Sequence, residues 1–224
     1  MQVRILPPLP LLLTTTERSA YSYLLGMYLG DGYVCRMPRT YRLEIYLHRN
    51  DQRGIRQASV AIQTLLPRHR IGLRRHGGAT VVTCYFKGWP MLFPQHGPGR
   101  KNARPIALVD WQSAIVADFP GDFLRGCIDS DGCRHRRIVY GRNYPAYSFT
   151  NHSEDILGLF TSVCDAIGLR WRRANRVTIS IARRADVARL DALFAGALRS
   201  PQAERPAAAA DASVTADQVP EAWV

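Results

Sequence analysis

Two aspartates stand where a helix disfavours them. The stretch YSYLLGMYLGDGYV, Tyr21 to Val34, reads as an apolar helix yet closes on Asp31 and Gly32. FLRGCIDSDGC, Phe123 to Cys133, closes the same way on Asp131 and Gly132. The C-terminal end of a helix carries partial negative charge, so a carboxylate there is repelled. One such Asp-Gly is an ordinary turn after a helix. Two matched ones in a strongly basic chain ask for a common cause.

Aligned on their aspartates, the segments read Leu24-Leu25-Gly26-Met27-Tyr28-Leu29-Gly30-Asp31 and Leu124-Arg125-Gly126-Cys127-Ile128-Asp129-Ser130-Asp131. Small residues coincide, Gly26 with Gly126 and Gly30 with Ser130, four apart and hence on one helical face. Glycine inside a helix costs roughly 1 kcal/mol relative to alanine, so its repeated use points to close backbone packing. Two helices packed along that stripe deliver Asp31 and Asp131 side by side. Two carboxylates and two negative helix ends repel unless a cation sits between them. A hard divalent ion, Mg²⁺ or Mn²⁺, takes oxygen ligands, and Mg²⁺ binds through one or two carboxylates plus substrate phosphates. The expected chemistry is metal-assisted hydrolysis of a phosphodiester. Asp129, whose counterpart is Leu29, breaks the symmetry and reads as structural.

Charge names the substrate class. The 224 residues carry 30 Lys+Arg against 18 Asp+Glu, a net of +12. Such a surface attracts nucleic acid or an anionic membrane surface. No stretch is long enough to span a bilayer. The five cysteines, Cys35, Cys84, Cys127, Cys133 and Cys164, show no zinc-like spacing and read as reduced thiols. MQVRILPPLPLLL is apolar, but prolines interrupt it and no cleavage site follows, so a cytoplasmic, nucleoid-associated location is expected.

The chain runs twice through one pattern. YRLEIYLH, Tyr41 to His48, alternates Leu43, Ile45 and Leu47 against Arg42, Glu44, Tyr46 and His48, as a half-buried strand does. DQRGIRQASVAIQTLL predicts a helix, and RIGLRRHGGATVVTCYF a hairpin turning at Gly77-Gly78. After Asp131, RRIVYGRNYPAYSFTN reads as a strand and SEDILGLFTSVCDAIG as a helix capped by Ser153. LRWRRANRVTISIARR reads as a hairpin turning near Ala174-Asn175. The division is a leader over 1–16, repeats over 17–115 and 116–199, and an Ala/Pro-rich tail over 200–224 expected to be disordered.

The paired motifs resemble those of the LAGLIDADG homing endonucleases in their two-repeat, single-chain form. LRGCIDSDG is the closer match; LLGMYLGDG keeps only the last acid, which in that family holds metal. The likeness covers roughly Glu17 to Arg199. It implies an α+β protein of two pseudo-symmetric αββαββα halves, motif helices at the interface, and a saddle of two sheets over duplex DNA. It implies a monomer that cleaves both strands of a long asymmetric site with Mg²⁺. It also implies that the carbonyls of Gly30 and Ser130 join the metal shell, and that basic side chains follow the last strand of each half. Lys101 is then the first candidate, with Arg100 and Arg104 behind it; Arg183 and Arg184 are those of the second half.

DNA contacts are expected from the strands. Arg42, Glu44, Tyr46 and His48 share one face, extended by Arg74, Arg75, His76 and Lys87. In the second half Arg137, Tyr140, Arg142, Asn143 and Tyr147 follow, with Arg172, Arg173, Asn175 and Arg176. Tyr144, Tyr147 and Trp171 fit a core equally well, and His135 sits close to the second motif. The rival readings are a non-cleaving transcription regulator, an RNA maturase on the same scaffold, and an intein-embedded nuclease. The last is opposed by the lack of splicing blocks.

Overall fold

A computed structural model describes residues 13–196. The tail and most of the leader lie outside them. The elements run α1 (Thr15–Asp31), β1 (Gly32–Arg36), β2 (Tyr41–His48), α2 (Gln52–Leu65), β3 (Ile71–His76), β4 (Ala79–Tyr85) and α3 (Trp89–Leu92). After a 3₁₀ turn at Lys101–Ala103 come α4 (Asp110–Asp118), α5 (Pro120–Asp131), β5 (Gly132–Val139), β6 (Arg142–Thr150), α6 (Glu154–Ala166), β7 (Arg172–Asn175), β8 (Thr178–Ile181) and α7 (Arg184–Gly196). Apart from α4, the second half repeats the first. Each half holds a four-stranded antiparallel sheet, ordered β1-β2-β4-β3 and β5-β6-β8-β7. The α+β expectation holds.

Local chemistry sets the helix starts. Thr14 and Glu17 form a reciprocal capping box at α1, so the helix begins inside the expected leader. Asp51 accepts from the Gly54 N–H at 2.9 Å to start α2, and Ser153 caps α6 as predicted. The β3–β4 hairpin turns at Gly77-Gly78, where Gly77 has φ +55°.

Two readings need correction, and two elements were not foreseen. RRIVYGRNYPAYSFTN is not one strand: β5 and β6 pair antiparallel, and the chain turns at Tyr140-Gly141. The last hairpin turns at Arg176-Val177, because the Asn175 side chain accepts from the Val177 N–H at 2.9 Å and so organises the turn after itself. β1 had no signal of its own, being five residues that leave directly from the end of α1. Helix α4 was also unforeseen, and the boundary expected after residue 115 falls within it. Its Gln112, fully buried, joins Gln95 and the Tyr21 hydroxyl in a hydrogen-bonded network that ties α4 to α1.

The core is built on the contact between α1 and α5. From Ala20 to Leu29 every residue of α1 is buried, since sheet and partner helices enclose it. A Cβ built on Gly26 would lie 2.4 Å from the Phe123 carbonyl oxygen, and one on Gly126 would lie 2.1 Å from that of Tyr23. Only hydrogen fits at either place. Polar pairs flank the stripe: the Tyr23 hydroxyl donates to Asp129 at 3.1 Å, Ser19 to Asp122 at 2.7 Å, and Ser22 to the Phe119 carbonyl at 2.9 Å. Asp129 also meets Arg125 at 3.4 Å, so it is structural as expected.

Gly126→Ala is expected to force the helices apart and lower the melting temperature by about 10 °C. Gly158, exposed in α6 with nothing within 4 Å, is the control. There alanine removes backbone entropy without a clash and should raise the melting temperature by about 3 °C. Thermal unfolding of both variants checks the pair.

Candidate functional site

The packed helices end together. A Cβ on Gly30 would meet Ser130 Oγ at 2.3 Å and Asp131 Oδ2 at 3.0 Å, so the Asp131 carboxylate lies against the end of α1. Asp31 and Asp131 are both partly buried. Burial first, then the charge of Asp131, pushes the Asp31 carboxyl up to about 7, against the pull of Lys101. Burial also raises Asp131, opposed by a hydrogen bond from Asn151 and by the charge of Lys101. The structure therefore brings the two predicted carboxylates together at the ends of two negative helix dipoles.

Lys101 joins them. Its ammonium donates to the carbonyl oxygens of Tyr28, Gly30 at 2.8 Å and Gly32 at 2.9 Å. A cation is thus seated on main-chain oxygens at the negative end of α1. Burial brings its pKa down to about 8, against the opposing attraction of Asp131 and Asp31. Reading the sequence alone missed Asn151, whose side chain donates to Asp131 Oδ2 at 2.7 Å. Pairing of Gly132 with Phe149 puts Asn151 two residues beyond; the same step from Ile45, the partner of Gly32, reaches the buried Leu47. The halves are unlike at this position.

A cleft of 690 Å³ opens here, lined by Gly30, Tyr33, Arg100, Lys101, Arg104, Asp131, Asn151 and His152 among others. Among the described residues no cluster of three or more His, Cys, Asp or Glu side chains could hold a metal alone. Two carboxylates with raised pKa, beside carbonyl oxygens, are nonetheless a donor set that suits Mg²⁺ when a phosphate completes the shell. The residues fit a divalent ion. The Gly30 carbonyl, expected in the metal shell, accepts from Lys101 at 2.8 Å.

The other candidates separate into groups. On the first sheet Glu44 is 3% exposed and enclosed by its neighbours. It meets Arg42 at 2.8 Å and Arg74 at 3.3 Å, and accepts from the Tyr46 hydroxyl at 2.9 Å. Burial alone would raise its carboxyl; Tyr46, Cys35 and the two arginines outweigh that and hold it below its usual value. Its carboxylate is used inside the sheet surface, while Arg42 and Arg74 cover it. His48, Arg74 and Arg75 are exposed, and Lys87 lies beyond β4 in the turn before α3. In the second half Arg142, Asn143, Arg172 and Arg176 are exposed and Arg137 is half-buried. Arg173 is paired with Glu154 at 2.7 Å. Tyr147 belongs to the core, its hydroxyl donating to Asp191 at 2.6 Å. Arg183 and Arg184 are exposed at the start of α7 and do not line the cleft.

No family model matches the chain. No curated protein sequence matches it either. Solved structures do. Full-length DUF199/WhiA from Thermatoga maritima superposes with a TM-score of 0.55 at 14% identity, over 86% of this chain and 60% of that one. The chain thus spans 60% of that protein's length. I-DmoI in complex with DNA and Mn gives a TM-score of 0.55 at 13% identity, over 82% of this chain and 99% of that one. A substituted I-DmoI in complex with its target DNA in the presence of Mg gives 0.56 at 13% identity, with the same coverage. The chain has the fold of these LAGLIDADG proteins, in the two-repeat, single-chain form.

Proposed function

We propose that this chain is a metal-dependent endonuclease of the homing type, acting as a monomer on both strands of a long asymmetric DNA site. One observation carries the reading: matched helices bring Asp31 and Asp131 together beside Lys101 at a cleft in a strongly basic protein. Fold likeness to I-DmoI bound to DNA with Mn or Mg supports it. Asp31 and Asp131 hold the divalent ion, and Asn151 fixes the Asp131 carboxylate by its 2.7 Å hydrogen bond. The ion supplies charge neutralisation and Lewis acidity at the scissile phosphate. Lys101, held on the carbonyls of Tyr28, Gly30 and Gly32, contributes positive charge beside the same phosphate, and Arg100 and Arg104 line the approach. A second reading, DNA or RNA binding without cleavage, draws on the Lys101 ammonium itself: its three donors are spent on Tyr28, Gly30 and Gly32.

Incubation with a randomised plasmid library and Mg²⁺ is expected to yield double-strand breaks at recurrent sequences. Asp31→Asn and Asp131→Asn should each abolish cleavage yet still bind the recovered site in EDTA. Binding without any break in the wild type would transfer the function to the non-cleaving reading. Affinity should fall by about a thousandfold between 50 and 200 mM salt, as for a protein neutralising several phosphates.

Stability reports on the same pair. With its carboxyl raised from 3.8 to about 7, Asp31 keeps in the folded state a proton that the unfolded chain releases. Its contribution is therefore fully present below pH 3.8 and is lost as pH rises through about 7. At pH 8 in EDTA, Asp31→Asn should raise the melting temperature by roughly 5 °C. Added Mg²⁺ should raise that of the wild type and leave the variant almost unchanged. Calorimetry with and without Mg²⁺ reads both.

A further inference from the structure

The two halves differ at one hairpin. In the first sheet β1 pairs with β2 only from Gly32 to Arg36, and β4 backs β2 from Arg42 to His48. In the second, β5 pairs with β6 from Gly132 to Val139, while β8 backs β6 only from Tyr147 to Thr150. Residues 136–145 are therefore a two-stranded ribbon projecting beyond its sheet. Ile138 near the end is 76% exposed, and Tyr140 at the tip is 100% exposed. Arg136 and Arg142 are exposed beside them, and no acidic residue lies between Gly132 and Thr150.

The tip is also strained. The two-residue loop has φ +49° at Tyr140 and +72° at Gly141. Such loops favour Asn-Gly or Gly-Gly, and a bulky side chain at positive φ is a genuine outlier. Tyrosine satisfies no demand of the turn and buries nothing. Strain of this kind is retained where a side chain serves function.

We propose that the ribbon enters a groove of duplex DNA and that the Tyr140 ring wedges against a base step there, on the second half's flank only. The proposal rests on the DNA-binding reading above. A two-stranded ribbon fits the major groove, and its arginines match the phosphates on either side. Side chains inserted at a base step partially unstack it, and an aromatic ring offers a face on which a base can stack. From Gly132 to Val139 the strand advances roughly 24 Å, so along DNA of 3.4 Å rise the tip falls about seven base pairs from the aspartate pair.

The test uses a 40-bp duplex recovered by repeated binding of the whole chain to a random-centre pool in EDTA. The fluorescent base 2-aminopurine is placed at successive positions on both flanks. Wild-type protein is expected to brighten one position, about seven base pairs out on one flank. Tyr140→Ala should lose that signal and bind about tenfold more weakly, and Tyr140→Phe should keep both. Tyr140→Asn, which suits the turn, should melt about 2 °C higher than wild type and still bind like the alanine variant. Binding without unstacking, unstacking on both flanks alike, or unchanged affinity in Tyr140→Ala overturns the wedge and leaves the DNA-binding reading standing. Failure of wild type to retain any duplex overturns both.

Discussion

Everything in this molecule depends on the approach of two backbones. At Gly26 and Gly126 the helices α1 and α5 come close enough that a single carbon would strike a main-chain atom of the partner. That contact fuses two sheets into one body. It also fixes which residues meet at the helix ends, four positions further on, where Gly30 faces Ser130 and Asp131. Core and site are thus consequences of one packing choice, and the helix propensity lost to glycine is offset by dispersion along the whole interface.

That choice creates an electrostatic problem at the end of the stripe. Two partly buried carboxylates lie beside the negative ends of two helices, and burial first, then the charge of Asp131, raises the Asp31 carboxyl. Lys101 relieves it from 69 to 73 residues away in sequence, seating one positive charge on the carbonyls of Tyr28, Gly30 and Gly32. The segment joining the two halves is therefore part of the site. Its own burial draws the lysine toward neutrality, so the balance of charge is close and responds to any ion or phosphate that enters the cleft.

How far the sequence was legible follows from range. Signals confined to a few residues survived: the Ser153 cap, the Gly77-Gly78 turn and the alternation of β2. The paired aspartates were legible because two copies could be laid side by side. What failed depended on partners distant in the chain. Glu44 has the alternation of a solvent-facing residue, and only the approach of Arg74 from β3 shows that it is enclosed. Asn151 has no local signature, since its meaning comes from a register that sets it against Asp131. Arg134 and Tyr147 converge on Asp191 of α7, a contact that periodicity cannot foretell. The hairpin within RRIVYGRNYPAYSFTN was hidden because its loop uses tyrosine where turn chemistry favours asparagine or glycine.

The polar contacts flanking the glycine stripe are not mirror images. The Tyr23 hydroxyl reaches across to Asp129, yet the residues at the mirrored places are Phe123 and Leu29, which form no such bond. Two copies of the second half, joined to each other, would leave both Asp129 carboxylates facing phenylalanine; two copies of the first would leave both Tyr23 hydroxyls facing leucine. Each half is thus complementary to the other rather than to a copy of itself, so pairing of unlike halves is favoured over pairing of like ones.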